Sequence, residues 1–89
     1  MILQNHLPPG VSRREELEVH IRTACEKVPG CHEWVITISL WERDASFIAV
    51  RILEPERAAH TRIAVAATYE EIAKQIGRLA FKPLPDGTS

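Results

Sequence analysis

The sequence predicts an α+β fold, a two-layer sandwich. Two helices cover one face of an antiparallel meander of three strands, four if the N-terminal residues add one. Three observations predict it. Residues 33–41 and 46–53 are runs of alternating apolar residues joined by the polar stretch Glu42-Arg43-Asp44-Ala45, which reads as a β-hairpin. Stretches of helical periodicity lie on either side of the hairpin. Each opens with the Ser/Thr-x-x-Glu spacing of a capping box. The order is then (β)-α-β-β-β-α, and strands joined by short turns pack their apolar face under the helices.

The N-terminal residues 1–7 begin apolar and suit a short strand, which Pro8-Pro9-Gly10 ends. Ser12-Arg13-Arg14-Glu15 is the first capping box, in which the Ser12 hydroxyl would accept from the Glu15 amide. The helix after it aligns Leu17, Ile21, Ala24 and Val28 on one stripe and stops at Pro29-Gly30.

In the hairpin, Ile36, Ile38 and Leu40 share one face, and Val35, Thr37, Ser39 and Trp41 the other. A two-residue loop would set Ile36 against Arg51. A three-residue loop (Arg43-Asp44-Ala45) sets Leu40 against Ile48, Ile38 against Val50 and Ile36 against Ile52. A slip of one residue exchanges the faces, so the apolar pattern selects the odd loop.

Residues 55–67 suit either a strand, with Ile63 and Val65 alternating with Arg62 and Ala64, or an alanine-rich helix. The strand is preferred because Thr68-Tyr69-Glu70-Glu71, the second capping box, marks a fresh helix start. That helix lines up Tyr69, Ile72, Ile76 and Leu79, carries an internal Gly77 suggestive of a close approach, and ends at Pro83.

Composition bounds the function. The 89 residues are read as one domain, with an ordered core over about residues 11–82 and a flexible tail at 83–89. Apolar residues make up 45% and charged residues 26%, a globular balance. Eleven basic residues against twelve acidic ones leave no global excess for gripping phosphates. No apolar run is long enough for a signal peptide or a membrane span, so a cytoplasmic protein is expected. Two cysteines do not make a secreted disulfide framework.

Cys25, Cys31 and His32 are the only thiol or metal cluster, and Cys-x5-Cys-His without a second pair is a poor match to zinc spacing. A nucleophilic thiol would need a positioned base, and the glycines form no phosphate loop. No enzyme, cofactor, metal or small-molecule substrate is therefore expected, and a small thiol or metal protein is a second alternative.

Lys74, Arg78 and Lys82 recur every four residues along the last helix, and with Arg62 they form the candidate RNA-binding set. The other candidate is the second face of the sheet. In the odd register Trp41 opposes Phe47, Thr37 opposes Arg51 and Val35 opposes Leu53. If both helices cover the first face, this aromatic, aliphatic and arginine-bearing face meets water, unless a terminus folds over it. Such patches mark partners.

The element order resembles two families. The double-stranded RNA-binding domain also runs α-β-β-β-α, but its lysine-rich clamp falls where this chain has Thr68-Tyr69-Glu70-Glu71. Met1-Ile2-Leu3-Gln4 before the first helix, and Ile63 to Ile72 leading into the last, resemble the short ribosome hibernation factors over about residues 1–82. That resemblance implies a ribosome- or RNA-associated binder acting through basic helices. The residues themselves point first to a non-catalytic interaction protein. It would bind a protein partner or a second copy through Trp41, Phe47, Val35, Arg51 and Leu53.

Overall fold

The structure, a computed structural model, describes residues 1–81. Lys82 and the expected tail at 83–89 lie outside the described residues. The order is β1 (Ile2–Asn5), α1 (Arg14–Glu26), a 3-10 turn (Cys31–Glu33), β2 (Val35–Leu40), β3 (Phe47–Leu53), β4 (Ala58–Ala64) and α2 (Tyr69–Phe81). The α+β class and the β-α-β-β-β-α order are those the sequence predicts. The ambiguous stretch is a strand.

The four strands lie in chain order, β1-β2-β3-β4. β2–β3 and β3–β4 are antiparallel, while β1 runs parallel to β2, pairing Ile2 with Val35 and Asn5 with Ile38. The sheet is therefore mixed, which corrects the purely antiparallel meander. The reason is the intervening helix: α1 carries the chain back along the sheet, so β2 starts at the same end as β1. The ordered unit also reaches further towards the N-terminus than residue 11. β1 is part of the sheet, and Leu7 is only 2% exposed.

The hairpin register matches the odd-loop expectation, with Ile36 on Ile52, Ile38 on Val50 and Leu40 on Ile48. Asp44 closes the loop. Its carbonyl accepts from the Phe47 amide at 3.1 Å, and its carboxylate accepts from the Ser46 amide at 2.9 Å. On β4 the same face continues with Ile63, opposite Ile48.

Those aliphatics meet Leu17, Ile21 and Cys25 of α1 and Ile72 and Ile76 of α2 in one core that, among the described residues, holds no fully buried polar or charged residue. At about 25 cal/mol per Å² of apolar area, the fully buried isoleucines are the main attraction holding helices to sheet. Val28 packs against this core from beyond the helix. Gly77 does not mark a close approach, since a Cβ there would meet nothing within 4 Å.

The two helices start differently. Thr68 and Glu71 form the expected box: the Glu71 amide donates to the Thr68 hydroxyl at 3.2 Å, and the Thr68 amide donates to Glu71 Oε1 at 3.0 Å. The Ser12 box does not form. Arg13 is the N-cap of α1, in the left-handed region at φ 63°, and no side chain caps that end. Arg13 instead sends its guanidinium across to the carbonyls of Val65 and Ala67, the latter at 3.0 Å, and pairs with Glu16. Arg14 donates to the Leu7 carbonyl at 2.8 Å. Side-chain bonds to neighbouring segments thus fix the start of α1, and Ser12 is displaced one residue too far out to cap it.

Candidate functional site

Strand alternation leaves one face of the sheet without helices. β2 places Val35, Thr37 and Ser39 there, β3 places Phe47, Ala49, Arg51 and Leu53, and β4 places His60 and Arg62. None of these is fully buried, and Leu53 is 46% exposed. β1 lies in the plane of the sheet and extends this face with Ile2, 57% exposed, rather than folding over it. Nothing among the described residues covers it.

Trp41 stands just past the end of β2, where its amide donates to the Phe47 carbonyl at 3.1 Å. That bond continues the ladder and sets the two aromatics opposite each other, as the register predicts. Arg62 joins them. Its register partner on β3 is Ala49, too small to block it, and its guanidinium carbon lies 4.3 Å from the Phe47 ring centroid and 5.8 Å from that of Trp41. A cation over an aromatic face is held by the ring quadrupole, worth about 0.5–1 kcal/mol at exposed sites. Beside this cluster is a depression of about 430 Å³, bordered by Trp41, Arg43, Arg51 and His60, with Thr37, Ser39 and Ala49 on the strands beneath.

The partner-binding set of Trp41, Phe47, Val35, Arg51 and Leu53 therefore shares one surface. Sequence reasoning missed Ile2, His60 and the place of Arg62 in it. The signal was available for Arg62: once Ile63 is assigned to the core, alternation turns Arg62 to the face of Trp41 and Phe47.

The RNA-binding set is not brought together. Lys74 and Arg78 are exposed on α2, across the sheet from Arg62, and Lys82 lies outside the described residues. The two thiols differ in exposure. Cys25 is fully buried on α1, and burial, with a smaller push from Cys31 and Glu26, raises its thiol to about 12. A thiol held neutral is a poor nucleophile and metal ligand. Cys31 is partly exposed in the 3-10 turn, while His32 is solvent-facing, 3.9 Å from the Glu33 carboxylate. Among the described residues no three His, Cys, Asp or Glu side chains are grouped to hold a metal ion. None of the described helices is long and apolar enough to cross a membrane.

A second polar spot lies between the helices. His20 of α1 and Tyr69 of α2 meet edge to face at 5.6 Å between ring centroids, with the Lys27 ammonium 5.3 Å from the Tyr69 centroid. His20 Nδ1 and the Tyr69 hydroxyl are buried with no hydrogen-bond partner among the described residues. The contact ties α1 to α2.

Searches against protein-family models, curated proteins and solved structures find no significant match to this chain.

Proposed function

We propose that this chain is a non-catalytic binding protein that engages another protein through the open face of its sheet. The observation that carries this reading is the Trp41–Phe47–Arg62 cluster on a face that nothing else among the described residues covers. Tryptophan and arginine dominate the energetics of protein interfaces, and the same face carries Leu53, Val35 and Ile2 at its other end. Dedicating a face with this much apolar surface to water would be costly, whereas burying it against a partner recovers about 25 cal/mol per Å² of apolar area. The buried, neutral Cys25 weighs against a thiol activity.

Affinity capture with the wild type and with Trp41→Ala and Phe47→Ser tests it. Both variants should keep the wild-type circular dichroism, because neither side chain belongs to the buried core. A protein retained by the wild type and by the helix-face variant Val19→Ser, but lost by both sheet-face variants, is the expected result. Identical retention by all four would overturn the reading.

The order β-α-β-β-β-α, with its N-terminal strand in the sheet, also supports a second reading as a ribosome- or RNA-associated binder. Lys74 and Arg78 would carry it. Co-sedimentation with ribosomes that weakens steeply as salt rises is its expected signature.

A further inference from the structure

The open face carries a charge of one sign. Arg51 and Arg62 project from its strands, Arg43 borders the depression from the hairpin loop, and His60 stands opposite Arg51. No aspartate or glutamate projects from the same face of β1 to β4, and Glu42 is the single acidic residue at the rim of the depression. Among the described residues, the ion pairs use Arg13, Arg22, His32 and Arg57, and none uses Arg43, Arg51 or Arg62. The acidic side chains of α1 and α2, by contrast, belong to the helical side of the molecule. Three of the chain's eleven basic residues, Arg43, Arg51 and Arg62, thus sit on or beside a face whose strands carry no carboxylate.

Three occupants can be weighed against that arrangement. A second copy packing by the same face would bring arginine strip against arginine strip, since a two-fold interface is self-complementary and no carboxylate on the strands is available to pair them. A nucleic-acid strand would stack its bases on these half-buried aromatics, but Arg62 already lies 4.3 Å from the Phe47 centroid, over the ring face a base would need. An acidic peptide needs no rearrangement. A guanidinium resting on a ring keeps its N–H edge for a carboxylate, which it receives in bidentate geometry.

We infer that the segment bound on this face is an extended acidic peptide of the partner. Its carboxylates, which share one side of the extended strand when they alternate, are received by Arg62 and Arg51, with Arg43 at the rim. This rests on the binding role proposed above and adds the chemistry of the partner.

Fluorescence anisotropy with a labelled peptide of alternating Glu and Leu, its Lys/Leu counterpart and an oligouridylate tests the assignment. The Glu/Leu peptide should bind, the Lys/Leu peptide should not, and oligouridylate should bind more weakly. Arg51→Ala and Arg62→Ala should each weaken Glu/Leu binding roughly tenfold, the size expected from losing one charge-assisted contact. Lys74→Ala with Arg78→Ala should leave it unchanged. Absence of Glu/Leu binding at low salt, binding indifferent to both arginine variants, or tighter oligouridylate binding each overturn the inference. If a captured partner is lost in Phe47→Ser yet retained in Arg51→Ala with Arg62→Ala, the binding role stands and the acidic assignment alone falls.

Discussion

At the start of α2, Thr68 and Glu71 exchange hydrogen bonds and close the first turn within four residues. At the start of α1, Ser12 and Glu15 have the same spacing, yet Arg13 takes the N-cap position and Ser12 stands outside the helix. The difference lies in what each side chain can reach. Thr68 and Glu71 are exposed and bond each other; Arg13 lies near the part-buried carbonyl oxygens of Val65 and Ala67, before α2, and is drawn to them. A cation donating to two carbonyls competes successfully with one hydroxyl cap, since bonds from charged donors contribute about 1.5–3 kcal/mol and a cap typically about 1. A local motif is decisive only where no stronger long-range partner is in reach.

Arg13→Ala breaks this comparison most directly. It removes the bonds to Val65 and Ala67 and should destabilise the protein by about 1.5–3 kcal/mol in urea unfolding. Arg13→Gly should be the milder change, because glycine relieves the positive φ. Thr68→Ala should cost about 1 kcal/mol. That loss should depend on pH in a defined direction. Hydrogen bonds from the Thr68 amide and hydroxyl hold the Glu71 carboxyl below its ordinary 4.5. The folded value lies under the unfolded one, so the contribution is present above about pH 4.5 and is lost as pH falls through the lowered value. The stability difference between wild type and Glu71→Gln should shrink across that acid range. Ser12→Ala should be the smallest change, within about 0.5 kcal/mol, because nothing hydrogen-bonds its side chain at the helix start. A loss for Ser12→Ala equal to that for Thr68→Ala would mean that the two helix starts are alike in solution.

The same contrast between local and distant causes explains what was legible in the residues. The hairpin register was readable because Ile36, Ile38 and Leu40 must share a face with Ile48, Val50 and Ile52, and a one-residue slip would put all of them in water. The parallel direction of β1 was not readable. It depends on where α1 returns the chain, and Ile2 and Leu3 alternate equally well in either direction. The register alone places Trp41 and Phe47 together on the helix-free face. Arg62 did not join them, because its neighbours Ala64 and Ala59 left β4 open to a helical reading, and its charge was counted instead with Lys74 and Arg78. Arg13 is the deepest omission: residues 13 and 65 are brought together only by the finished fold.

The parallel strand also orders how the molecule comes apart. Ile2 pairs with a residue thirty-three positions later, across the whole of α1, whereas β2, β3 and β4 are joined by short turns. Closing that loop carries the largest chain-entropy cost in the sheet, and only four residues of ladder are gained for it. β1 is accordingly the strand that detaches at the lowest free energy, with amides exchanging before those of β3. Its departure would bare the edge of β2, a run rich in β-branched residues, to any passing strand. The short N-terminal strand thus works as an edge guard, shielding the sheet from aggregation as well as completing it.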